Sequence, residues 1–358
     1  MRRLLLAAAL LCACGRPAAP SAEAAPRPST APIEIDLPVA IDTAIEGMTV
    51  SCPTWGWEWG TDAMVDTMKE LKELGVEWIT IHPYARISND GGVGFKSFAD
   101  DAPPEFIARP IREAHALGLK IMIKPHLAYW SSKFGWRGEI AFEDPTEEAR
   151  FFREYTAWIE AMAVASRGAD LFVVGTELDG LTHRDAQWHR VIAAVRAKYT
   201  GPLTFASNWD SYRRIGWWDA LDAVGIQAYF PLVDSPSAPT TSADLDRGWA
   251  RVIAEVTAHA AVVDRPVVFT ELGYNLSSRA AVEPWAYERG GRDAEGVQTR
   301  AMAAALEAIA AEPVVRGAFV WKWFPGPTVG EDFLASTPAM REVLRAAWDD
   351  GQKPPRTE

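Results

Sequence analysis

Apolar and polar positions alternate in blocks along most of the chain. Short runs rich in β-branched and aromatic residues recur at Met48–Cys52, Val76–His82, Leu119–His126, Leu171–Glu177, Leu203–Asn208, Val224–Tyr229, Pro266–Glu271 and Ala318–Trp323. Near-continuous apolar character is what parallel strands covered on both faces require. Helical periodicity fills the gaps. Met64, Met68, Leu71 and Leu74 recur at three- and four-residue spacing, with Lys69, Lys72 and Glu73 on the opposite side. Asp144-Pro145 followed by Glu147 and Glu148 reads as a helix start, with a capping carboxylate, proline at the first helical position and acids in the first turn. Phe151, Tyr155, Ile159 and Met162 then mark the stripe that this helix buries. Eight such units in about 300 residues predict one α/β domain, a (β/α)8 TIM barrel over residues 33–350. A doubly wound open sheet is the alternative, but no glycine-rich fingerprint follows the first run.

The ends of the chain break this pattern. Residues 1–14, MRRLLLAAALLCAC, carry a basic start and an apolar stretch too short to span a bilayer. Leu11-Cys12-Ala13-Cys14 resembles a bacterial lipobox, which implies a signal peptide over 1–13 and lipidation of Cys14, the cysteine preceded by a small residue. An ordinary secretory signal cut nearby is the alternative. Residues 14–32, dominated by Pro, Ala, Ser and Thr, cannot bury enough apolar surface to offset their ordering entropy and read as a tether. The expected location is therefore the bacterial cell envelope, anchored by lipid to the outer membrane or cell surface, and otherwise secreted. Residues 351–358 form a short polar tail.

Composition narrows the function. Hydrophobic residues at 48% and charged ones at 23% exclude a disordered chain. The net charge is -12, with no run of Lys or Arg, so nucleic acid is not an expected partner. Cys12, Cys14 and Cys52 cannot build a disulfide framework. Sixteen tryptophans exceed what a core needs, so some are expected to line a ligand surface.

In a TIM barrel the chemistry sits at the C-terminal ends of the strands. The first run leads to Trp55, Trp57, Glu58 and Trp59, the second to His82 and Tyr84, and the third to Lys124, His126, Tyr129 and Trp130. Glu177 and Asp179 follow the fourth, Asn208, Trp209 and Asp210 the fifth, and Gln227 and Tyr229 the sixth. The last two lead to Glu271, Tyr274 and Asn275, and to Trp321, Lys322 and Trp323. With Trp136 and Trp285, nine tryptophans are thereby expected on one rim. Aromatic faces among carboxylates and amides suit sugar rings, which stack through C–H faces and hydrogen-bond through hydroxyls. Two carboxylates stand apart, because Glu177 ends LFVVGTE and Glu271 ends PVVFTE. A carboxylate at the tip of an apolar strand is costly unless it is paired or functional. Glycoside hydrolysis uses such a pair, with retention at a separation of about 5–5.5 Å and inversion at about 6.5–9.5 Å.

The segments GMTVSCPTWGWEWGT, WITIHPYA, KIMIKPHL, VVGTELDG, SNWD, GIQAYFPL, FTELGYN and FVWKWFP resemble glycoside hydrolase family 113, over roughly residues 45–325. The resemblance implies a β-1,4-mannan-hydrolysing enzyme without cofactor or metal, with Glu177 as acid/base and Glu271 as nucleophile. Tyr229 takes the position from which a tyrosine hydrogen-bonds the nucleophile. Substrate contacts are expected from Trp55, Trp57, Glu58, His82, Tyr84, Lys124, His126, Thr176, Asn208, Trp209, Trp321 and Trp323. Thr176 stands where many enzymes of the same clan, clan A, place Asn against the sugar 2-hydroxyl, and threonine reaches less far. A carbohydrate partner and a monomeric state complete the expectation. Two other readings use the same residues. One is an inactive, tethered glycan-binding barrel; the other is a metal-dependent hydrolase using His82, His126 and Asp210, although these occur singly and no H-x-H pair follows the first strand.

Overall fold

The structure, a computed structural model, describes residues 39–235, 240–328 and 330–348. The signal segment, Cys14, the Pro/Ala-rich stretch to residue 32 and the 351–358 tail lie outside the described residues. Eight strands close into a barrel: β1 (Ile45–Val50), β2 (Trp78–Ile81), β3 (Lys120–Ile123), β4 (Leu171–Thr176), β5 (Leu203–Asn208), β6 (Ala223–Gln227), β7 (Val267–Leu272) and β8 (Val315–Trp323). Every neighbouring pair is parallel, and β1 pairs with β8 to complete the ring. Each sequence run contributes one strand.

The double covering that made the runs look continuous is visible in the packing. Ile45, Trp78, Met122, Leu171, Val173, Ala206, Ala223, Val268 and Phe319 fill the barrel interior, with Ile41 beneath them. Phe172 and Val174, one residue out of phase on β4, belong instead to the larger core between barrel and helices. Close approach fixes at least one position: a Cβ on Gly47 would lie 2.5 Å from the Phe319 ring.

Among the described residues, seven helices surround the strands: α1 (Asp62–Glu73), α2 (Glu105–Ala116), α3 (Pro145–Ala165), α4 (Asp185–Arg196), α5 (Ser242–Val263), α6 (Ala294–Ala310) and α7 (Pro338–Trp348). Asp144 caps α3 by accepting from Thr146 N at 2.7 Å, and Phe151, Tyr155, Ile159 and Met162 are buried. The repeat fails at one place. Between β5 and β6 two short 3-10 turns, Tyr212–Arg214 and Trp218–Ala220, replace the expected helix. Trp217 stacks on Trp188 at 5.1 Å, and both Trp217 and Trp218 are almost wholly buried where helix side chains would otherwise pack. Truncating Trp217 to Ala should therefore cost about 3–5 kcal/mol. This corrects the expectation drawn from tryptophan content. Trp59, Trp158, Trp188, Trp217, Trp218 and Trp249 are among the largest fully buried side chains, so the core does use many indoles.

A second, three-stranded sheet stands on the mouth of the barrel. Tyr84–Ile87 pairs with His126–Ala128 in parallel and with Val93–Gly94 in antiparallel fashion. Its two parallel strands continue β2 and β3 after Pro83 and Pro125, which lack the N–H needed to extend a ladder. The interruptions set His82 and Lys124 between the two sheets and His126 at the start of the second.

Candidate active site

Both glutamates sit where strand register is broken. The β4–β5 pairing shifts between Val173 and Thr176, and Glu177 has φ 54, in the left-handed region. The β7 pairings shift around Phe269 and Glu271. Such irregularities re-aim side chains. Here Thr270 and Glu271, which would face opposite sides of a regular strand, both reach groups of the mouth.

Glu271 is the more enclosed carboxylate, with a side chain 5% exposed against 15% for Glu177. Tyr229 Oη donates to its Oε2 at 2.7 Å. The Lys124 ammonium donates to its Oε1 and to the Thr270 carbonyl, the latter at 3.2 Å. His126 Nε2 lies 3.9 Å from the same Oε1. Burial, and then the negative charge of Glu271, pushes the Tyr229 hydroxyl well above its ordinary range, so it stays a donor. Burial also draws the Lys124 ammonium down, opposed by the charge of Glu271.

Aromatic rings wall this half. Lys124 Nζ lies 5.2 Å from the Trp321 ring centre. His82 stacks on His126 at 4.9 Å, and Trp59 meets His82 edge-on at 5.2 Å. Burial first, then nearby cations including Lys124 and Arg137, hold both imidazoles well below the usual histidine range, so they are neutral near pH 7. His82 Nε2 is 3.2 Å from Ser51 Oγ. Stacked ring on ring, the two histidines do not converge on a common point, and no group of three or more His, Cys, Asp or Glu suited to a metal occurs among the described residues.

Glu177 is held differently. Arg137, on a short 3-10 turn in the loop after β3, donates to its Oε2 from Nε at 3.0 Å and from Nη2 at 2.7 Å. Gln227 Nε2 donates to Oε1 at 3.3 Å, while Gln227 Oε1 accepts from Thr270 Oγ1 at 3.0 Å. One amide thus bridges the ends of β4 and β7. Burial would lower the Arg137 guanidinium's pKa, but Glu177, then Tyr84 and Glu271, raise it. Asn208 Nδ2 and Ser211 Oγ donate to Asp179 at 2.9 and 3.0 Å, tying the end of β5 to the loop after Glu177. Burial raises the Asp179 carboxyl. Thr176 is only 2% exposed, and its hydroxyl donates to the Pro125 carbonyl at 3.1 Å, inside the protein.

Two aromatic surfaces flank the glutamates. Trp55 packs against Tyr84 at 5.9 Å and Trp130 at 5.8 Å, with the Arg86 guanidinium 4.1 Å from its ring centre. Trp209 stacks on Trp285 at 5.4 Å with planes 12° apart. Other expected contacts lie elsewhere. Trp323 is buried in the core with Arg341 of α7 on its face, because it ends β8 pointing toward the helices. Trp57 is exposed and packs edge-on against Phe106 of α2, and Glu58 accepts from the Thr54 hydroxyl. Arg137 was not legible in advance; the only signal was a lone cation between Trp136 and Gly138 in a polar loop.

Comparison with known proteins bears on the family and the fold. The AaManA β-mannanase of family 113 from Alicyclobacillus acidocaldarius, solved in complex with ManMIm, superposes with a TM-score of 0.72 at 27% identity, covering 85% of this chain and 97% of its own. A second family 113 β-1,4-mannanase complex gives 0.74 at 22% identity, covering 86% and 99%, which bears on the fold alone. A Ruminococcus gnavus β-glucuronidase shares the barrel more distantly, at 0.59 and 15% identity, and this chain spans 50% of it. No protein with a curated description matches the chain. The family model for Glycoside Hydrolase Family 113 matches residues 48–328, from within the first barrel strand to beyond the last. A match over most of the sequence, on a barrel of the same closure, makes this chain a member of glycoside hydrolase family 113.

Proposed function

We propose that the protein is a retaining endo-β-1,4-mannanase that cleaves mannan or a closely related neutral glycan by double displacement. The observation that carries this reading is the separate clamping of two glutamates at the ends of β4 and β7. Glu271, enclosed and held on both oxygens, is the nucleophile: it attacks the anomeric carbon while Glu177 protonates the departing oxygen. Water then attacks the glycosyl-enzyme, Glu177 accepts its proton, and the bonding pair returns to Glu271. Glu177 sits at the turn beyond its strand, beside a loop-borne arginine, a setting suited to a group that serves both steps.

The same placement orients the glycan. Trp321 lies on the Glu271 side and walls the sugar whose bond to oxygen breaks, with the buried His82 and His126 packed against it. The Asn208–Asp179 bond puts Trp209, with Trp285, on the Glu177 side, where the leaving sugar departs. Cleavage of a panel of mannan, glucomannan, cellulose and xylan oligomers, with Glu271→Gln as control, tests the reading. Mannan-type products lost in the variant are expected; binding without any cleavage would overturn it. The lipobox and tether also support envelope anchoring through Cys14. A fatty-acid probe should label the wild type and spare Cys14→Ala, and equal labelling would refute that site.

A further inference from the structure

We propose that Lys124 governs the second half of the reaction, acting as the cation that draws Glu271 away from the sugar when the covalent intermediate breaks down. This rests on the double-displacement reading. Lys124 is fully buried, and its ammonium touches Oε1 of Glu271. Its other neighbours are the Thr270 carbonyl and the Trp321 ring. Around it stand Glu271 on β7, Tyr229 beyond β6, Glu177 beyond β4, Arg137 on the loop after β3, His82 beyond β2, His126 at the start of the second sheet, and Lys322 on β8. Of these, the carboxylate of Glu271 is the partner in direct contact.

The consequence follows from charge bookkeeping at one oxygen pair. When Glu271 bonds to the anomeric carbon, its carboxylate becomes an ester and Lys124 loses its counter-charge. The cation is then buried beside a neutral ester, which burial disfavours. In the reverse sense, as water's oxygen bonds to the anomeric carbon and its proton passes to Glu177, the C–O bond to Glu271 breaks and negative charge grows on that carboxylate. Lys124 meets this charge as it forms. A fixed donor aimed at developing charge accelerates the step that develops it. Lys124 therefore favours release over attack. Tyr229 holds the other oxygen without carrying charge, so the two donors are not equivalent.

The half-reaction can be isolated. A 2-deoxy-2-fluoro mannosyl fluoride should trap the glycosyl-enzyme, whose decay is followed by mass spectrometry. In the wild type the decay should fall at alkaline pH as the partnerless Lys124 deprotonates. Lys124→Met and Lys124→Gln should slow decay about 100-fold and lose the alkaline fall. With a dinitrophenyl β-mannobioside, kcat and KM should drop together in these variants, with a burst of dinitrophenol equal to the enzyme. A wild-type decay that does not fall at alkaline pH would overturn the proposal without any variant, as would equal losses in kcat and kcat/KM. Failure to trap an adduct in any form of the protein, alongside inverted products, would instead overturn the double-displacement reading and this role with it.

Discussion

The two halves of the barrel mouth are built on opposite principles. Around Glu271 both hydrogen-bond donors come from beyond barrel strands, Tyr229 after β6 and Lys124 after β3, and the lysine is also held by the Thr270 carbonyl of β7. Around Glu177 the charged partner comes from a loop, and the glutamate itself has left its strand for a left-handed backbone conformation. A rigid, dry frame fits a nucleophile that must be aligned for in-line attack, where small misplacements are costly. A more open setting fits a group that must give a proton in one step and take one in the next. On the double-displacement reading, this architecture would separate alignment from proton traffic.

Removing each glutamate should break the comparison most visibly. Glu271→Ala should lose retaining turnover by about 10^4-fold or more on every substrate, activated or not. Glu177→Ala should lose about 10^3-fold on mannan yet keep turnover on a dinitrophenyl glycoside, whose departure needs little protonation, with azide restoring its second step. Initial rates on the two substrates separate these outcomes, and equal losses on both would refute the division of labour.

Arg137 sharpens the contrast from the loop side. Arg137→Met should reduce kcat on mannan about 10-fold by releasing Glu177 from its charged partner, while trapping by a fluoro-sugar still labels Glu271. Loss of labelling would mean that the arginine also supports the nucleophile. Smaller effects are expected at the Trp209–Trp285 stack. Trp285→Ala should raise KM for mannohexaose by roughly 3- to 10-fold, the worth of about one aromatic contact, with kcat/KM for an aryl glycoside unchanged. A change on the aryl glycoside alone would put the stack on the wrong side of the scissile bond.

Much of this was legible in the chain, for physical reasons that differ by region. The strands could be read because burial on both faces leaves no polar alternation, and Leu171–Thr176 shows that directly. The strand-end glutamates could be read because an acid is costly there. The β5–β6 connection could not, because Trp217 and Trp218 imitate the apolar content of a helix without its period. Trp323 misled for a related reason: a tryptophan at a strand end points in or out according to register, and register is not written in composition. Lys124 and His126 were placed at the mouth, but Pro125 between them, which breaks the barrel ladder, gave no warning of the ion pair with Glu271. Arg137 depended on a loop conformation, which local sequence specifies weakly.

The Glu271 half should also reveal itself in stability, with the smallest effect of the set. His82 and His126 are held neutral in the fold, chiefly by burial. In the unfolded chain each takes a proton near pH ~6.5. The unfolded state then binds more protons below that pH, so stability should fall on acidification and be indifferent to these groups above it. Thermal unfolding from pH 7.5 to 5 should show a declining Tm, and His82→Gln should flatten the decline. An unchanged slope would mean that the pair is not kept dry.

The most direct measurement is the stereochemistry of the first product. Proton NMR of mannohexaose during the first minutes of cleavage should show the β-anomer appearing ahead of mutarotation, because attack by Glu271 and then by water inverts the anomeric carbon twice. The α-anomer appearing first would mean that water attacks directly, and the assignment of Glu271 as nucleophile would be wrong.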